Sequence, residues 1–226
     1  MKSLIILKTG SAPEAVASEH GDFESWFSRY LATSLPITVV NAVRTEDLPD
    51  PAQLAGVVVT GSAAMVSHRE PWSERAAAWL AGIHAAEVPL LGVCYGHQLI
   101  AHALGGRVGP NPAGRHIGTA QLQLCELAGS DPLLAELAHA PQVQVTHQEH
   151  VQEPPPGAQI LARVALDPHH ALRFGPSTWG VQFHPEFTAT VLRRYVELRR
   201  ERIASEGLDP DQIHAAIAET PASTQV

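Results

Sequence analysis

Apolar positions in the first hundred residues fall into short runs separated by amphipathic stretches. Leu4-Ile5-Ile6-Leu7, Gly56-Val57-Val58-Val59 and Val88-Pro89-Leu90-Leu91 are runs of the length of buried strands. The pattern predicts strands at 3–8, 37–43, 56–60 and 88–93, and helices near 22–34, 72–86 and 96–104, the last ended by Gly105-Gly106. Strand–helix alternation of this kind predicts an α/β fold, a mainly parallel central sheet with helices on both faces. The pattern then changes. Strands are expected at 119–125, 142–146, 158–165, 170–174 and 179–183, and the shorter connections make these additional antiparallel strands. Further helices are expected near 131–138, 188–205 and 210–219, with loops at Ala12-Pro13-Glu14-Ala15 and Glu153-Pro154-Pro155-Pro156-Gly157. Residues 1–205 read as one domain, and 206–226 as a C-terminal helix followed by a frayed tail.

One junction carries chemistry. Gly92-Val93-Cys94-Tyr95-Gly96-His97-Gln98 lies between an expected strand and an expected helix. A cysteine after a strand is usually a core residue. Here glycines two positions away on either side suit a strained strand-to-helix turn, a nucleophile elbow with Cys in the place of Ser. A helix N-terminus at that point favours the thiolate, the nucleophilic form. Ninety positions on, Trp179-Gly180-Val181-Gln182-Phe183 alternates as a strand and runs into His184-Pro185-Glu186. A Cys nucleophile, a His base and an acidic group to orient the imidazole are the parts of an activated-nucleophile site.

Taken together, Gly92–Gln98 and Gly180–Glu186 resemble the motifs of the triad-type (class I) glutamine amidotransferases, with the glutaminase domain of GMP synthase a close match. The resemblance covers residues 1 to about 195. It implies a flavodoxin-like fold and a Cys94–His184–Glu186 triad that hydrolyses the side-chain amide of L-glutamine through a γ-glutamyl thioester. Gly56-Val57-Val58-Val59-Thr60-Gly61-Ser62 matches the family's strand and Gly-rich loop. By that match the backbone N–H groups of Gly61 and Tyr95 form the oxyanion hole. Ser62-Ala63-Ala64 departs from the further Gly or Gly-Pro that the family often has. Gln98, one helical turn after Cys94, is expected to touch the substrate. Val145–Val151 matches the substrate-covering loop, which adds His147, Gln148 and Glu149 as substrate contacts.

Composition narrows the partners. The chain has 226 residues and a net charge of −8, which argues against nucleic acid. Its 2 cysteines make no disulfide framework, as expected in a reducing cytoplasm, and no apolar run approaches a membrane span. The 13 histidines lack the Cys company and helical spacing of a metal motif, so scattered surface histidines are expected, with no metal and no cofactor. Arg193-Arg194, Arg199-Arg200 and Arg202 alternate with Glu197, Glu201 and Glu206, the pattern of a solvated, ion-paired face. No synthetase segment follows the His-Pro-Glu motif, so a separate synthetase subunit is expected to accept the ammonia. Three rivals remain. A γ-glutamyl peptidase has the same elbow. A DJ-1/PfpI-like enzyme often has His directly after the Cys, where this chain has Tyr95. A non-catalytic regulatory subunit usually lacks the Cys or the His.

Overall fold

The structure, a computed structural model, describes residues 2–31, 33–44 and 47–226. In chain order the elements are β1 (Ser3–Lys8), α1 (Glu14–His20), α2 (Phe23–Tyr30), β2 (Ile37–Asn41), β3 (Leu54–Val59), α3 (Pro71–Ala85), β4 (Leu90–Val93), α4 (Tyr95–Ala103), β5 (Arg107–Pro110), β6 (His116–Gln121), β7 (Gln123–Leu124), β8 (Gln142–His147), β9 (Glu149–Glu153), β10 (Gln159–Val164), β11 (Asp167–Gly175), β12 (Thr178–Val181), α5 (Ala189–Leu198), α6 (Arg200–Ser205) and α7 (Pro210–Ala216). Eight strands form one sheet in the order β2-β1-β3-β4-β12-β11-β10-β7. The first five pair in parallel. The last three are antiparallel additions.

The apolar runs settle where the sheet lies. β3 is buried at five of its six positions, as expected of a central parallel strand covered on both faces. Alternate residues divide between the two faces. Ile5, Leu7, Val57 and Val59 pack with Leu80 and Ile83 of α3 and Leu99 and Ile100 of α4. Ile6, Val58 and Val93 face the other core, which takes in Phe27 of α2 and Val143 and Val145 of β8. A third cluster joins α1, α2 and α5 through Val16, Trp26, Phe187 and Leu192.

Several elements differ from the pattern-based expectation. Residues 12–15 were read as loop, but Pro13 opens α1, which buries Val16. Helix 22–34 stops at Tyr30, and residue 32 of that expectation lies outside the described residues. The second strand ends at Asn41, whose side chain accepts from the N–H groups of Val43 and Arg44 and turns the chain. Residues 131–138 form only a 3-10 turn at Ala135–Ala138. There the Asp131 carboxylate accepts from Leu133 N–H and from the Trp179 indole, so it serves a local turn rather than a helix cap. The helix expected over 188–205 breaks at Arg199. Strand 119–125 divides into β6, which pairs with β8, and β7, which joins the main sheet. β5 and β9, which pair with each other, were not foreseen. In the tail, expected to fray, residues 221–225 form a 3-10 turn with Ser223 buried. No helix among the described residues is long and apolar enough to cross a membrane.

Candidate active site

Strand order explains how two distant motifs meet. β12 lies beside β4 in parallel, with Val181 opposite Val93. Cys94 follows Val93 and His184 follows Val181 by three residues, so both emerge at the carboxyl edge of adjacent strands. That edge is where open α/β sheets place their sites.

Cys94 sits at φ 53°, ψ −101°, a conformation L-residues rarely adopt. Such strain costs on the order of 1–3 kcal/mol and persists only where the surroundings enforce it. The flanking glycines do so. A Cβ on Gly92 would lie 2.5 Å from the Gly96 backbone, and one on Gly96 would lie 2.5 Å from the Val59 carbonyl oxygen. Strand and helix are thus in backbone contact, and the turn between them has no slack. Cys94 is nearly buried, 5% exposed, and lines a cleft of about 100 Å³.

His184 shares a second lobe of this cleft with Cys94. Its Nδ1 is 2.7 Å from Glu186 Oε1, and both residues are buried. The ring stacks on Phe187 with centroids 4.1 Å apart. Burial opposes charge on the imidazole, but the Glu186 carboxylate and the Cys94 sulfur outweigh it and push the pKa up to about 10. With Nδ1 committed to Glu186, Nε2 is left for the cleft; it has no hydrogen-bond partner among the described residues.

The strand–loop glycine also lies close to the base: a Cβ on Gly61 would stand 3.0 Å from His184 Cε1, so the ring would have to shift by a few tenths of an ångström. The carbonyls of Thr60 and Gly61 both accept from the Thr9 hydroxyl, at 2.8 and 3.2 Å. In trans peptides the following N–H points the opposite way. The N–H groups of Gly61 and Ser62 therefore face away from Thr9, and Ser62 lines both lobes. The sequence reading missed Ser62 as a candidate donor. It also missed Gly10, where a Cβ would strike Ser62 Oγ at 2.6 Å. Tyr95 offers its backbone only: its ring is buried and its hydroxyl bonds Ser73 at 2.6 Å. Its N–H lies in the first turn of α4, where no intrahelical acceptor exists.

Gln98 lines the cleft and donates through Nε2 to Glu149 O and Gln182 Oε1. Both amide donors are used, so its oxygen is the atom with capacity left. The three residues of the 147–149 turn border the cleft and are held differently. Gln148 is tied by its side chain to Arg202 and Glu206. The Glu149 carbonyl accepts from Gln98 and from His147 Nδ1. The His147 imidazole is buried against His116 and His170, with centroids 5.4 and 5.7 Å apart.

That arrangement corrects the expectation of scattered surface histidines. His97, His147, His150, His170 and His184 are all buried. The pairing of His116 with His147 across β6 and β8, and the approach of β11 beneath them, assembled a cluster that no local spacing announced.

The arginine-rich segment also departs from the expected solvated face. Arg194 and Arg200 do make surface ion pairs. Arg199 instead enters the cleft, stacks over Tyr195 at 4.6 Å and donates to Thr146 Oγ1. Arg115, from the other side, is 4% exposed and bidentate to Glu206. Neither arginine was singled out from the sequence.

Known proteins place this arrangement in a family. Residues 20–199 match the family "Glutamine amidotransferase class-I". A GMP synthase (glutamine-hydrolysing) of Aeropyrum pernix is 34% identical over 162 residues, 72% of this chain and 29% of that protein. One from Porphyromonas gingivalis is 30% identical over 188 residues, 82% of this chain and 33% of that protein. The chain thus spans about a fifth to a third of the length of the curated relatives it matches. Crystal structures of glutamine amidotransferases from Methylobacillus flagellatus and Thermotoga maritima share the fold. The first has a TM-score of 0.75 at 22% identity over 99% of this chain and 86% of that one. The second has 0.72 at 17% identity over 100% and 94%. With its elbow cysteine beside a buried His–Glu pair, and with most of its length matched, this chain belongs to the class I glutamine amidotransferases.

Proposed function

We propose that the chain hydrolyses the side-chain amide of L-glutamine and passes the ammonia to a synthetase partner, as a glutaminase of the GMP synthase type. The observation that carries this reading is the strained Cys94 elbow facing a buried His184–Glu186 pair across neighbouring strands.

Cys94 Sγ attacks the γ-carboxamide carbon. The carbonyl electrons move onto oxygen, which the N–H groups of Tyr95 and of the Gly61–Ser62 segment stabilise. The His184 imidazolium, held by Glu186, gives its proton to the departing nitrogen, and ammonia leaves with a γ-glutamyl thioester behind. Neutral His184 then takes a proton from water. The hydroxide adds to the thioester carbon, sulfur departs as thiolate, and glutamate is released.

The cleft also suggests how the amino-acid end is held. Arg115 and Arg202 both pair with Glu206, whereas Arg199 has no carboxylate partner among the described residues. The α-carboxylate of glutamine is assigned to Arg199. The free Oε1 of Gln98 suits the α-ammonium group.

Steady-state release of glutamate from glutamine by the isolated chain tests the reading. Weak turnover is expected alone, a rise with an ammonia-accepting synthetase, and none with Cys94→Ala. If γ-glutamyl dipeptides instead react far faster, with kcat/KM of about 10⁴ M⁻¹s⁻¹ or more, the γ-glutamyl peptidase reading replaces it. If nothing reacts even with partners present, a regulatory role replaces both.

A further inference from the structure

Behind the cleft the fold gathers histidines from three ladders around one buried carboxylate. Asp167 opens β11 and is fully buried. His170 lies three residues on in the same strand, with Nδ1 2.9 Å from Asp167 Oδ2. His147 ends β8, and His116 opposes it in β6. His150, in β9, approaches Asp167 Oδ1 at 3.4 Å. A cluster this polar is costly to bury unless its groups are satisfied. Several are not: His147 Nε2, His170 Nε2 and His116 Nδ1 are buried without a hydrogen-bond partner among the described residues.

The partnered nitrogens show which lone pair is available. A backbone carbonyl only accepts, so His147 Nδ1, 2.9 Å from Glu149 O, carries the proton. In the neutral ring Nε2 is then the unprotonated nitrogen, and it is buried with no hydrogen-bond partner among the described residues. An imidazole whose far nitrogen is fixed by a carbonyl is the outer-shell arrangement of metal-binding histidines. One ligand atom each from His147, Asp167 and His170 all lie within 4.8 Å of one another. Around a tetrahedral ion with bonds of about 2.0–2.2 Å, ligand atoms stand about 3.4 Å apart, so closure of at most about 1.4 Å completes the site.

We propose that His147, Asp167 and His170 bind a divalent transition-metal ion of the Zn²⁺ type, with His116 as the adjacent fourth ring. Two imidazoles and a carboxylate are the borderline donor set that favours Zn²⁺ or Co²⁺ over Mg²⁺ or Ca²⁺. His147 borders the cleft, which supplies an entry path. The ion braces the 147–149 turn against β11, and through Glu149 O against Gln98. This site is distinct from the Cys94–His184 pair and does not depend on the glutaminase reading.

The test uses the full chain with Cys94→Ala, so that a thiol–imidazole pair does not capture the metal. After chelator treatment and desalting, the protein is titrated with Zn²⁺ by calorimetry and with Co²⁺ by visible absorption. The expected result is one ion per chain, a Kd of about 1 μM or tighter, and a rise in Tm. Asp167→Asn and His170→Gln, with folding checked by circular dichroism, are expected to weaken binding at least tenfold. X-ray absorption of the zinc-loaded Cys94→Ala protein decides independently of those variants. A shell of nitrogen and oxygen at about 2.0–2.1 Å with imidazole scattering supports the site. Binding below about 0.2 ions per chain, binding unchanged in folded Asp167→Asn, or a sulfur shell from Cys125 overturns it.

Discussion

Two glycines in helices make opposite predictions for the same substitution. In an open helical position, Gly→Ala gains about 1 kcal/mol, because alanine surrenders less backbone freedom on folding. Gly82, exposed in α3, has nothing within 4 Å of an added Cβ, so Gly82→Ala should gain that amount. Gly96 is also helical, in α4, but its Cβ would meet the Val59 carbonyl oxygen at 2.5 Å and Val59 Cβ at 2.8 Å. Restoring an ordinary 3.4 Å contact requires α4 and β3 to part by about 0.9 Å. Overpacking of this kind costs about 1–3 kcal/mol. Because the clash is with backbone of a central strand, the upper end applies, and a net loss of about 2 kcal/mol remains after the helical gain. The displacement falls on the elbow itself, and a misplacement near 1 Å costs about 100-fold in rate. Urea unfolding measures the first effect. With an m-value of about 2 kcal/mol/M, the Gly96→Ala midpoint should drop by about 1 M while that of Gly82→Ala rises by about 0.5 M. Steady-state glutaminase assays measure the second. If Gly96→Ala stabilises as much as Gly82→Ala and keeps its kcat, the tight elbow is not what positions Cys94.

Cys94→Ser should abolish glutamate release with less than about 1 kcal/mol lost in urea unfolding, since the two side chains are nearly isosteric; iodoacetamide should modify Cys94 faster than the more exposed Cys125, and the reverse order counts against Cys94 as nucleophile. His184 is held at about 10, above its ordinary value, so its ion pair stabilises the fold fully below about pH 6.5 and is lost as pH rises through about 10. Glu186→Gln should therefore cost about 1.5–3 kcal/mol at pH 7, a penalty that shrinks toward pH 10, and a pH-independent penalty would contradict the pairing. Its kcat should fall by about 10²-fold or more. Arg199→Met should raise KM for glutamine about 10- to 100-fold with kcat largely kept, and an unchanged KM would remove Arg199 from the α-carboxylate site.

Local sequence determined the parts of this protein that depend on neighbouring residues. Short apolar runs made β1, β3 and β4 readable, because a strand buried on both faces has to be apolar along its length. The glycines around Cys94 made the elbow readable, because only glycine allows backbone contact on both sides of the turn. The His184–Glu186 pairing is a two-residue spacing and was legible for the same reason. Tertiary structure decided what joins distant segments. Strand order set β12 beside β4 and so brought His184 to Cys94. Arg199 read as one charge among many on a helix face, and only the helix break and the packing of Tyr195 turn it into the cleft. β5 and β9 carry little apolar pattern of their own, and although β6 and β8 lie in expected strands, nothing local to either names the other as its partner. The β6–β8 pairing sets His116 opposite His147, and β11 brings Asp167 and His170 against them. Only the Asp167–His170 spacing in that cluster is local; His116 and His147 join from strands of another ladder, whose place beside β11 is fixed only when the fold closes.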